Sequence, residues 1–126
     1  MMIDVSVGEV IDKYTILCIK HERISDSSKL ENIHKELEVI SNCLFAKNYF
    51  TIFSDEISNL KSINEKLWVV EDEIRTKESK LEFDDEFIKL ARSVYVVNDM
   101  RFDIKNKINK LSNSDIMEEK SYAKYS

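Results

Sequence analysis

The chain has 126 residues, no proline, a single glycine (Gly8), 34% charged residues and a net charge of -5. Proline and glycine punctuate strands and tight turns, so their near-absence argues for helices and against β-barrels, zinc ribbons and glycine-rich phosphate loops. The mild acidity argues against non-specific nucleic-acid binding, which needs a cationic face, and no apolar run approaches the roughly 20 residues that span a bilayer.

The length fits one helical domain over residues 1–126, with residues 1–6 as an extended arm and 112–126 as a C-terminal tail. Met1 to Asp4 lacks the basic region and apolar core of a secretion signal, so a cytoplasmic location is expected. In a reducing cytosol Cys18 and Cys43 read as buried free thiols.

In the arm, Ile3, Val5 and Val7 alternate with polar residues, as in a strand fragment. Ser6 and Glu9 then have the spacing of a capping box, which opens a first helix running to about Ile24. Its apolar seam is Val10, Tyr14, Leu17, His21 and Ile24, flanked by Ile11 and Cys18. Ser28 and Glu31 form a second capping box, before a helix with the seam Leu30, Ile33, Leu37, Ile40 and Leu44. The short connection makes these two helices antiparallel neighbours. Residues 45–53 are aromatic and β-branched; Lys47-Asn48 can turn there, and the segment reads either as a packed loop or as more helix.

Ser54 or Asp55 can cap a third helix along Ile57, Leu60, Ile63, Leu67, Val70 and Ile74. Asp84, Asp85 and Glu86 open a fourth, where the helix dipole favours carboxylates, and Lys105, Lys107 and Lys110 lie near its other end. These two helices, each about 25 residues, would span about 38 Å. The fourth has the longest apolar repeat in the chain: Phe87, Leu90, Val94, Val97, Ile104, Ile108 and Leu111. The expected fold is therefore all-α, an antiparallel four-helix bundle with two short N-terminal and two long C-terminal helices. A helical turn is expected around Ile116-Met117 in the tail. A second stripe of Ile88, Ala91, Tyr95 and Phe102 leaves surplus apolar surface, so a homodimer through the long hairpin is expected.

Several stretches resemble a family of small uncharacterised bacterial proteins. Residues 6–17 (SVGEVIDKYTIL) are similar to the family's opening, together with Ile19-Lys20 and Glu22-Arg23-Ile24. Leu67-Trp68 with Glu71-Asp72, Asn98-Asp99-Met100-Arg101 and Glu118-Glu119-Lys120-Ser121-Tyr122 fit the same family in the same order. Val7 departs from it, since proline often precedes the glycine there. The resemblance implies a stand-alone helical domain and brings no activity.

Arg101 occupies a slot in the apolar repeat of the fourth helix where Leu or Ile is expected. A buried, unpaired guanidinium is costly, so a carboxylate is needed from Asp12, Glu9, Glu71 or Asp72. If the two long helices turn near residue 82, Arg101 faces Asn64. The pair is then architecture, or Arg101 lines an anion-binding pocket with Asn98, Asp99 and Asp12, or the seam is exposed at that point. Glu9 and Asp12 share a helix face; with Asp99 or Glu71-Asp72 they are the oxygen ligands a Mg²⁺-dependent nucleotide hydrolase would collect. A grip on a dicarboxylate, as in the helical chorismate mutases, has Lys13, Lys20, Arg23 and Arg101 to draw on. His21 and His34 come close in the first hairpin but lack a third ligand for zinc, and are expected to be partly buried. The leading reading is a non-catalytic binding or scaffold module, with candidate ligand-binding residues Glu9, Asp12, Lys13, Asn98, Asp99 and Arg101. The alternative is the hydrolase. No metal, cofactor or nucleic-acid partner is expected.

Overall fold

The computed structural model describes residues 1–114, 116, 118–121 and 124. Among the described residues it contains five helices and no strand: α1 (Val7–Arg23), α2 (Ser27–Ala46), α3 (Tyr49–Ile52), α4 (Ser54–Ser79) and α5 (Asp85–Leu111). The all-α expectation holds, with two shorter helices before two long ones of 26 and 27 residues. Ile3 and Val5 are exposed and pair with no strand, since one short segment has no sheet to join.

Local capping explains most boundaries. The Ser6 hydroxyl accepts from the Glu9 N–H at 3.1 Å and starts α1. Only half of the expected capping box forms there, because the Glu9 carboxylate goes to Lys105 on α5 instead. The second capping box is corrected. Asp26, not Ser28, caps α2, and its Oδ1 accepts from the N–H groups of Ser28 and Lys29 and from the Ser28 hydroxyl. A carboxylate oxygen can gather three donors where a hydroxyl cannot.

Residues 45–53 combine the two readings. Asn48 takes a left-handed conformation, φ 60°, and a single helical turn follows it. Phe53 then stacks into α4 with no side-chain cap: its carbonyl accepts from Ile57 N–H and its own N–H donates to Tyr49. The expected Ser54 or Asp55 cap is unnecessary, because the preceding turn already supplies those bonds.

Both long helices end in Schellman motifs without glycine. After α4, Glu82 N–H donates to Lys77 and Leu81 N–H to Glu78, with Leu81 at φ 56°. After α5, Ser114 N–H donates to Asn109 and Asn113 N–H to Lys110, with Asn113 at φ 54°. Asp84 caps α5 by accepting from Phe87 N–H and also pairs with Lys77, which clasps the α4–α5 hairpin. Ile116 is not helical, and Met117, Tyr122 and Tyr125 lie outside the described residues.

Helices α1, α4 and α5 touch one another, while α2 packs on α1 and α3. The pairs Lys77–Asp84 and Glu56–Lys107 run α4 and α5 antiparallel, and Glu9–Lys105 with Asp12–Arg101 run α1 antiparallel to α5. Ile11, Leu44, Phe53, Leu60 and Ile108 form the core. The seams read for α2 and α4 are buried or half-buried throughout, as is that of α5 except for Leu111. The α1 seam holds except at His21, which is exposed: Leu17 is buried and Val10, Tyr14 and Ile24 are half-buried. A second buried face, not read from the sequence, runs along Gly8, Ile11, Asp12, Thr15 and Ile19. Contact with both α4 and α5 encloses a face whose small and polar residues carry no apolar periodicity. Ile88, Leu81, Phe83, Tyr95 and Val96 are exposed on the long hairpin.

Candidate functional site

The enclosed face of α1 brings together the polar groups that the apolar repeats leave over. Gly8, Asp12 and Thr15 follow one another at helical spacing and look toward α4 and α5. Gly8 allows the close approach. A Cβ there would lie 2.5 Å from the Lys105 carbonyl oxygen and 2.9 Å from Asn109 Oδ1. The Gly8 N–H, one of the free donors of the first helical turn, instead donates to Asn109 Oδ1 at 2.7 Å.

One turn further on, Asp12 is 1% exposed and fully engaged. Arg101 donates Nε to its Oδ1 at 2.9 Å and Nη2 to its Oδ2. Asn64 donates Nδ2 to Asp12 Oδ1 at 2.9 Å and to Thr15 Oγ1 at 2.8 Å, using both amide hydrogens. Thr15 in turn donates to the Asp12 carbonyl. The hydrogen bonds to Asp12 hold the Arg101 guanidinium above its ordinary value, against burial. The pair is charge-assisted and two-pronged, and no buried side-chain polar atom among the described residues is left unmatched.

Lys105, one turn beyond Arg101 on α5, has a side chain 7% exposed and bridges Glu9 at 2.8 Å and Glu118 at 2.7 Å. Lys120 reaches Asp99 at 2.8 Å and lies over the Phe102 ring. The tail is thus tied across α1 and α5. Burial alone would push the Lys105 ammonium down, but its hydrogen bonds to Glu118 and Glu9 outweigh that and hold it above 10.5. A raised folded pKa means stability that is present in full below the unfolded value and lost as pH rises through the folded one. Stability to urea is therefore expected to fall as pH is raised past 10.5. Tyr14, pushed up to about 12 by burial and its bond to Cys18, acts in the same direction. Lys105→Met should lose the lysine's share and keep the tyrosine's; an unchanged alkaline profile would show that the bridge is energetically silent.

Two clefts, each about 530 Å³, flank Arg101. One lies on the tail side, among Glu9, Asp99, Phe102, Lys105, Glu118 and Lys120. The other runs along α4, with Ile16, Ile19, Leu67 and Trp68 beside Asn98 and Asn64. Of the candidate residues, Glu9, Asn98, Asp99 and Arg101 line the first cleft, and Asp12 sits behind Arg101. Lys13 is not brought to them: it is exposed and pairs with Glu36 on α2 at 2.8 Å. Thr15, Asn64, Lys105 and Asn109 complete the buried polar set. Asn64 was visible as the residue facing Arg101 across the long hairpin, and Lys105 follows Arg101 by one turn. Thr15 and Asn109 had no sequence signal of their own.

The carboxylates are dispersed among separate cations: Asp12 to Arg101, Glu9 to Lys105, Asp99 to Lys120 and Glu71 to Arg75. No group of three or more His, Cys, Asp or Glu that could hold a metal ion occurs among the described residues. His21 and His34 stack edge to face with centroids 6.3 Å apart, but both are exposed rather than partly buried. Cys18 is half-buried and Cys43 exposed, so the expectation of two buried thiols is corrected.

No helix among the described residues is long and apolar enough to cross a membrane. No curated protein and no solved structure matches the chain. The model of a family of unknown function (DUF6165) matches residues 1–125, so the chain belongs to that family.

Proposed function

We propose that the protein is a non-catalytic, single-domain binding module, its four longer helices forming one bundle, and that its ligand is a small anion held at Arg101. One observation supports this above the others. Arg101 spends its Nε/Nη2 edge on Asp12, while no described residue accepts from Nη1. A guanidinium has two hydrogen-bonding edges, and the second suits a carboxylate or phosphate. The side chain is 27% exposed and borders both clefts, so that second edge is within reach of solvent. Asn98, three residues before Arg101 on the same face, adds an amide with no side-chain partner among the described residues.

The test is a titration of the protein with acetate and inorganic phosphate, followed by amide and guanidinium NMR shifts. Saturable shifts are expected at Asn98 and Arg101. Arg101→Lys keeps a charge on Asp12 but has no second edge, so it should bind about tenfold more weakly. Equal binding by the lysine variant, or shifts confined to other residues, would sink the proposal.

A further inference from the structure

The two clefts at Arg101 are not equivalent, and their difference says what kind of anion fits. In the tail-side cleft the lysines are already committed, Lys105 to Glu9 and Glu118, and Lys120 to Asp99. An anion entering there competes with ion pairs that the chain supplies itself. The α4 cleft has no lysine; Arg75, held by Glu71, lines it with Arg101, and its floor is Ile16, Ile19, Leu67 and Trp68.

The register along α4 sets the order of chemistry in that cleft. Asn64 is level with Arg101, since both donate to Asp12 Oδ1. Leu67 and Trp68 come one turn later, and Glu71 and Asp72 one turn after that, about 12 Å from Asn64 at 1.5 Å per residue. Glu71 has Arg75 at 3.5 Å. The Asp72 carboxylate has no side-chain partner among the described residues. The cleft therefore runs from the Arg101 end, over an apolar floor, to an end where Glu71 and Asp72 outnumber Arg75.

Resting on the anion reading above, we infer that the ligand is an amphiphilic monoanion. Its single carboxylate or comparable head sits on the free edge of Arg101 beside Asn98, and its apolar body, best an aromatic ring, lies along Leu67 and Trp68. Asp72 sets the selectivity. A second anionic group at the far end would meet two carboxylates, Glu71 and Asp72, against the single Arg75 guanidinium that Glu71 already engages, so dianions are disfavoured.

Trp68 is the chain's single tryptophan and reports the seat directly. Phenylbutyrate, acetate, phenylbutanol and a phenylbutyrate bearing a second carboxylate on its ring would be titrated by calorimetry and Trp68 fluorescence. Phenylbutyrate is expected to bind at least about tenfold more tightly than acetate, through the buried apolar area, and to change Trp68 emission. The alcohol and the diacid are expected to bind about tenfold more weakly than phenylbutyrate. Leu67→Gln should weaken phenylbutyrate and leave acetate unchanged. Equal affinity for acetate and phenylbutyrate with Trp68 undisturbed would overturn the amphiphile and leave the anion reading standing. A diacid that binds as well as the monoacid would overturn the selectivity. No anion perturbing Arg101 or Asn98 would overturn both readings. The wild-type series decides these outcomes even if the Leu67 variant does not fold.

Discussion

Asp12→Ala is expected to destabilise the fold by about 3–5 kcal/mol, the usual result of removing one partner of a buried ion pair. The change strands the Arg101 guanidinium and takes an acceptor from Asn64 Nδ2. Most of the penalty is the uncompensated charge, not the lost attraction. The double variant Asp12→Leu/Arg101→Met should therefore recover much of the loss, because it removes both charges and fills the space. Urea unfolding at neutral pH, followed by circular dichroism, measures both. An Asp12→Ala variant within about 1 kcal/mol of wild type would mean that Arg101 turns to solvent without penalty. Arg101 would then be a surface residue, and its proposed role as a fixed anchor for a ligand would go with it.

Gly8→Ala is expected to destabilise as well, by about 1–3 kcal/mol, the range for overpacking a close contact. The sign is informative. At an open helix position, replacing glycine by alanine gains about 1 kcal/mol through helix propensity. At Gly8 the new methyl would meet the Lys105 carbonyl oxygen at 2.5 Å, and a backbone atom within α5 cannot move alone. The start of α1 would have to lift away. That would stretch the Gly8–Asn109 hydrogen bond and the Glu9–Lys105 pair together. Faster amide exchange at Gly8 should accompany the loss in stability. A neutral or stabilising Gly8→Ala would show that α1 and α5 do not approach this closely.

Helix content was legible because it depends on local properties. The absence of proline, the apolar repeats of α2, α4 and α5, and caps such as Ser6 and Asp84 act within a few residues of chain. The α4–α5 register was legible for the same reason: a short connection leaves few ways to pair two long helices, and Asn64 does meet Arg101 on Asp12. Local chemistry misled where two caps competed, as at Asp26 and Ser28, and where α3 relieved α4 of a side-chain cap.

By itself, then, the sequence determined an all-helical chain with one misplaced arginine and a short list of carboxylates to pair with it. Only the tertiary structure decided which carboxylate that is, and that α1 packs against both α4 and α5. Periodicity measures how apolar a face is, but burial depends on how many neighbours cover it. Gly8, Asp12 and Thr15 form no apolar stripe, and they are buried because α4 and α5 close over them. The free edge of Arg101 is likewise a property of geometry. One edge faces Asp12 from the neighbouring helix, and the other is left to the clefts.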